Sequence, residues 1–196
     1  MTERLLDYAG WCAYVSATAT IATFLSATLF FSLGQPFGTL NDIASVLQLI
    51  FMLPLALILY RLFRRQSHSL SFLAAVLGVC GILVGAGVQT LLVLGAITFQ
   101  QSAQWFPAGA AIGGWLTLNS YLSLSSNLLP RGLAWAGLLA GVGYGVTVTG
   151  FLLGGYQNPV FYAGGLLIVI SYSTWAFWLG RVFLAGNPAA ALTSGV

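Results

Sequence analysis

Ile43-Ala44-Ser45-Val46-Leu47-Gln48-Leu49-Ile50-Phe51-Met52-Leu53-Pro54-Leu55-Ala56-Leu57-Ile58-Leu59-Tyr60 is followed at once by Arg61-Leu62-Phe63-Arg64-Arg65. No charge interrupts the run from Ile43 to Tyr60, and its length matches the ~20 residues a helix needs to cross ~30 Å of hydrocarbon. The rest of the chain resembles this stretch: hydrophobic residues make up 59% of it and charged residues only 5%, against about 25% charged in an ordinary soluble domain. So few charges will not solvate a folded surface in water, which makes lipid the main solvent. Inside a bilayer every backbone N–H and C=O needs a partner within the protein, so only helices or a closed barrel can span it. A barrel strand alternates apolar and polar over about ten residues. The apolar runs here are about twice that long and do not alternate. The expected fold is an all-α bundle.

Working outward, we expect six spans at 8–33, 41–63, 70–99, 107–126, 132–153 and 160–184, forming a single domain over 1–184, with 185–196 as a flexible tail. The start of the chain, Met1-Thr2-Glu3-Arg4-Leu5-Leu6-Asp7, reads as the approach to a span rather than a cleavable signal. Thr39 and Asp42, three residues apart, read as a capping box opening the second span. Pro107 suits the first turn of the fourth span, and Asn158-Pro159 a cap followed by the first position of the sixth. Pro54 falls inside the second span, where it frees a carbonyl and favours a kink. The basic residues are all arginine: Arg4, Arg61, Arg64, Arg65, Arg131 and Arg181. With six spans they all fall on one side, which the positive-inside rule makes cytoplasmic, so both termini are expected there. Trp11, Tyr60, Trp135 and Trp178 then lie at the cytoplasmic interface, and Trp105, Tyr156 and Tyr162 at the outer one.

Lipid tails are as apolar as leucine, so helices in a bilayer associate through close approach of small residues. Gly137, Gly141 and Gly145 recur every four residues, and Ala9-Ala13-Ala17, Gly81-Gly85 and Gly109-Gly113 repeat that spacing. Contact within one bundle is the plainer reading of Gly137, Gly141 and Gly145. A homo-oligomer, or a membrane-protein partner, seated on the same stripe is the sharper one.

Ionisable groups are scarce within the spans. Glu3, Asp7 and Asp42 lie at span ends, and His68 lies in a loop. Proton-coupled transport, a retinal Schiff base and intramembrane proteolysis each need a carboxylate, lysine or histidine at depth, and the spans offer none. We expect no catalytic group, no metal and no cofactor. Cys12 and Cys80 read as small apolar fillers. Asp42 reads first as a helix-end residue facing the dipole. The arginine cluster at 61–65 would draw anionic lipid head groups, and nothing indicates nucleic-acid binding. Uncharged polar residues are more suggestive. Gln48, Gln89, Asn119 and Tyr172 are the candidates for a polar intramembrane cavity beside Pro54, though clamping between neighbouring helices is the plainer reading of such residues.

The segment Leu128-Leu129-Pro130-Arg131-Gly132-Leu133-Ala134-Trp135-Ala136-Gly137-Leu138-Leu139-Ala140-Gly141, after Trp115-Leu116-Thr117-Leu118-Asn119, resembles a segment of an uncharacterised bacterial family of multi-span membrane proteins, a domain of unknown function. The resemblance implies a bacterial cytoplasmic-membrane protein and transfers no catalytic residue. The expectation is therefore a non-enzymatic six-helix protein, acting as an accessory or interaction subunit or holding a lipophilic ligand. A carrier or channel for a small neutral solute is the alternative.

Overall fold

A computed structural model describes residues 3–185, and those residues are helical with no strand among them. The helices are α1 (Glu3–Leu33), α2 (Phe37–Phe63), α3 (His68–Val93), a short α4 (Phe99–Ala103), α5 (Gly109–Ser126), α6 (Arg131–Gly154) and α7 (Pro159–Leu184). Single 3₁₀ turns precede α5 at Phe106–Ala108 and follow α6 at Gly155–Gln157. Five of the helices, α1, α2, α3, α6 and α7, are long and apolar enough to cross a membrane, which is compatible with a multi-pass membrane protein. Beyond Ala185, the tail expected over 185–196 lies outside the described residues.

Apart from α4, each helix packs against the next long one in the chain, and α7 returns to α1. The six long helices thus form a closed ring, in which α2 and α5 also touch. Short reversals, and between α3 and α5 a longer connection that carries α4, make neighbours antiparallel. At one end of the ring, the Gln66 amide joins the α2–α3 turn to the end of α5. It accepts from Ser125 Oγ (2.9 Å) and Ser126 N–H (3.1 Å) and donates to the Leu122 carbonyl (3.2 Å). The start of α1 meets the end of α7 at the same level, since a Cβ on Gly180 would lie 2.9 Å from the Gly10 carbonyl oxygen. The ring topology therefore gathers all six arginines at this arginine end.

Small residues mark the seams. Ala9, Ala13 and Ala17 are completely buried on α1. A Cβ on Gly81 would press on Ile112 of α5 at 2.9 Å, and one on Gly113 would lie 3.0 Å from the Gly141 carbonyl oxygen. On α6, Gly137 faces Ser120 and Trp175, while Gly141 faces Thr117 and the Gly113 backbone. Those two glycines serve contacts within the bundle; Gly145, the third of the stripe, is exposed with open space where its Cβ would be.

Several boundaries differ from the sequence expectation. The third span does not continue to Phe99: α3 ends at Val93, and Gly95 adopts φ +66°. Gly95 N–H donates to Leu92 O (3.0 Å) and Ala96 N–H to Leu91 O (2.9 Å), a Schellman ending that satisfies carbonyls left free by the helix. The expected Thr39/Asp42 capping box is absent, because α2 already begins at Phe37 and both residues sit inside it. A capping box occurs instead at Thr98, whose hydroxyl accepts from Gln101 N–H (3.3 Å) while Gln101 Oε1 accepts from Thr98 N–H (2.8 Å). The first helix begins at Glu3 rather than Tyr8. The Asn158 cap is as read, its side-chain oxygen accepting from Val160 N–H at 2.9 Å with Pro159 in the first turn.

Candidate functional site

The ring is filled unevenly along its axis. Toward the arginine end its centre is close-packed, with Leu6, Met52, Leu59, Phe63, Leu133 and Phe183 all buried in one core. Toward the opposite end it encloses a cavity of about 610 Å³ to which all six long helices contribute. Pockets for small molecules typically span roughly 300–1,000 Å³.

Three helices meet at the cavity's floor. The Tyr172 hydroxyl lies 2.5 Å from Ser16 Oγ, which in turn donates to the Gln48 carbonyl at 3.3 Å. Tyr172 is completely buried. Contacts between α1 and α7 run from Gly10–Gly180 through Tyr14–Phe177 to Ser16–Tyr172. Above that level both helices turn residues to the cavity: Thr20, Thr23 and Phe24 from α1, Phe161, Gly165 and Ile168 from α7.

The walls differ in chemistry. On α2, Asn41, Ser45 and Gln48 occupy successive turns and so share one face, and Thr20 and Thr23 of α1 stand beside them on the lining. Ser45 Oγ donates to the Asn41 carbonyl (2.8 Å) and lies 3.4 Å from Thr23 Oγ1. Gln48 is only 7% exposed, its Nε2 directed at Met52 Sδ (3.9 Å) with Tyr144 alongside. On α3, Gln89 also faces the cavity, and its buried Oε1 has no hydrogen-bond partner among the described residues. The opposite side, from α5 to α7, presents Phe106, Ile112, Val148, Phe161 and Ile168. The cavity is amphipathic: its polar groups concentrate on α1–α3, where Phe24, Phe31 and Leu49 also line it, and the α5–α7 side is mainly apolar apart from Tyr144 and Thr147.

Aromatic rings gather at its mouth. Phe99 of α4 stacks near Tyr156 (centroids 4.7 Å apart), and Phe106 meets Phe151 (4.7 Å) and Phe161 (5.4 Å). This cluster ties the α3–α5 connection to the α6–α7 turn. The sequence marks Trp105 and Tyr156 as interfacial residues, and the structure adds that both line the cavity.

Of the four residues proposed from sequence, Gln48 and Gln89 lie on the cavity wall, whereas Asn119 and Tyr172 do not. Tyr172 belongs to the floor. Asn119 lies lower, donating to the Trp115 carbonyl at 2.8 Å and bordering a void of about 10 Å³ with Ser123 and Trp175. Residues that sequence reasoning left out of the site include Thr20, Ser45, Asn41 and the aromatic cluster. For Asn41 and Ser45 the signal was present in the Asn41/Ser45/Gln48 spacing. Asp42 also lines the cavity, its carboxylate accepting from Asn41 Nδ2 at 3.3 Å, and among the described residues no Arg, Lys or His does so. Among the described residues no group of three His, Cys, Asp or Glu could hold a metal ion. Comparison of the chain with known protein families, with curated proteins and with solved structures finds no match.

Proposed function

We propose that this chain is a six-pass protein of the bacterial cytoplasmic membrane, with both ends cytoplasmic, that holds a small lipophilic ligand and performs no chemistry on it. The observation that carries this reading is the uneven filling of the ring: a cavity of about 610 Å³ stands over a close-packed half. A receptacle needs a wall, a floor and one opening, and the bundle supplies all three. The sixth pass is α5. Its 18 residues make about 27 Å of helix at 1.5 Å per residue, close to the hydrocarbon thickness. The orientation rests on the arginines, which the positive-inside rule puts in the cytoplasm, so the cavity opens outward.

A carrier for a small neutral solute is the second reading, favoured by the Asn41–Ser45–Gln48 face. A static channel fits less well, because the arginine half of the ring is filled by a close-packed core. Service as an accessory subunit is compatible with the ligand-holding role. Gly137 and Gly141 are taken up by α5 and α7, so a homo-oligomer or partner on that stripe would be left with Gly145. Native mass spectrometry of protein released from mild detergent tests the proposal. A retained ligand in wild type, lost when Gly165 on the cavity wall becomes Trp, supports it; wild type with no retained or added lipophile at any concentration overturns it.

A further inference from the structure

Resting on the ligand-holding reading, the nature of the ligand can be narrowed from charge. The chain carries six arginines against three acids, yet the arginines gather at the end away from the cavity. Among the described residues, the one charged residue that lines the cavity is an acid, Asp42. Its carboxylate accepts a hydrogen bond from Asn41 Nδ2 at 3.3 Å, and no cationic side chain shares the lining.

Helix dipoles do not reverse that sign. Three N-termini (α2, α5, α7) and three C-termini (α1, α3, α6) meet at the cavity end, so their partial charges offset one another to first order. Aromatic faces add to the negative potential, since the ring quadrupole attracts cations. Phe30 is the nearest such ring by position. A Cβ on Gly38 would lie 3.0 Å from its Cδ2, and Gly38 is one helical turn before Asp42. Phe31, Phe99 and Trp105 line the same space. Gln48 and Gln89 offer amides that hydrogen-bond a neutral polar group, whereas an anionic head would meet a carboxylate in a low-dielectric site with nothing to offset it.

We infer that the cavity selects its ligand by the sign of its charge, and that the ligand is a lipophilic cation: an amine, quaternary ammonium or similar onium head on an apolar or aromatic body. The head lies against Asp42 and Phe30 near the mouth. The body lies along Ile112, Val148 and Ile168.

Two probes of the same shape and opposite sign test this, tetraphenylphosphonium and tetraphenylborate, competing with the uncharged fluorophore N-phenyl-1-naphthylamine on the full chain in uncharged detergent. Cavity-specific signal is the part lost in Gly165→Trp, where the structure shows open space for a Cβ; Val169→Trp on the same lining serves if that variant does not fold. Tetraphenylphosphonium is expected to displace the fluorophore at roughly tenfold lower concentration than tetraphenylborate, a ratio that Asp42→Asn brings toward one and Asp42→Glu preserves. Equal displacement by the two ions, or a preference untouched by Asp42→Asn, overturns charge selection while leaving a ligand-holding cavity in place. A fluorophore signal no larger in wild type than in both tryptophan variants overturns the ligand-holding reading, and charge selection with it.

Discussion

The hydroxyls of Ser16 and Tyr172 lie 2.5 Å apart although 156 residues separate them in the chain. Ser16 donates to the Gln48 carbonyl, so the Tyr172 O–H is the donor to Ser16, and α1, α2 and α7 are tied at one point. Tyr172→Phe removes that donor with little change of shape. It is expected to cost about 1 kcal/mol, in line with hydrogen bonds between membrane helices. Ser16→Ala should cost a similar amount, and the double variant clearly less than the sum. Reversible unfolding in mixed micelles measures all three; strictly additive losses would show that the two hydroxyls do not act together.

The α5–α6 seam gives a sharper contrast. A Cβ on Gly141 would meet Thr117 and lie 2.8 Å from the Gly113 carbonyl oxygen, whereas Gly145 one turn later has open space. Gly141→Ala must push two backbones apart and is expected to destabilise by about 1–3 kcal/mol. Gly145→Ala gains helix propensity without a clash and should be neutral or mildly stabilising. Thermal inactivation in detergent orders the two variants, and equal effects would mean the helices do not cross at Gly113 and Gly141.

Cysteine accessibility reports on the depth of the cavity. In a background with Cys12 and Cys80 replaced by Ser, Gln48→Cys and Gln89→Cys should react with a membrane-impermeant thiol reagent. Tyr172→Cys, in the floor, and Asn119→Cys, beneath it, should not. Protection of the first pair by an added lipophile would place that lipophile in the cavity. Uniform labelling of all four positions would mean that the close-packed half is open to water.

Orientation is open to the same chemistry in intact cells. Reporter fusions after residue 185 and before residue 3 should both read as cytoplasmic, and a cysteine at Gln101 should label from outside. Moving the Arg64-Arg65 pair to the α1–α2 turn should lower the fraction in this orientation. Termini on opposite faces would reduce the number of passes to an odd one.

The helices were legible because long runs of apolar residues without charge announce both their length and their composition. Their ends were less so. Gly95 sits in an apolar run, Leu91-Leu92-Val93-Leu94-Gly95-Ala96, where a glycine that stops a helix through positive φ looks the same as one that admits a neighbour. Thr39 and Asp42 fit a capping pattern that also fits residues inside a helix. The depth of the polar residues was readable, but not the direction they face. In water the polar side of a helix points outward, and that contrast tells in from out; in lipid both sides are apolar. Asn119 and Tyr172 therefore looked equivalent to Gln48 and Gln89, although the ring turns only the latter two into the cavity. Three-dimensional information was also needed to see that Phe99, Phe106, Phe151, Tyr156 and Phe161 form one cluster.

Because one half of the ring is solid and the other hollow, its backbone should breathe at two speeds. Amide deuteration ought to be slow around Met52, Leu133 and Phe183 and fast near Thr23, Gln89 and Gly165, where neighbouring helices have fewer side chains to hold them together. A guest molecule would then act as a removable piece of protein interior. At a hundredfold excess over its dissociation constant it would add about 2.7 kcal/mol of stability, and the cell could sense its presence through the rigidity of the protein alone.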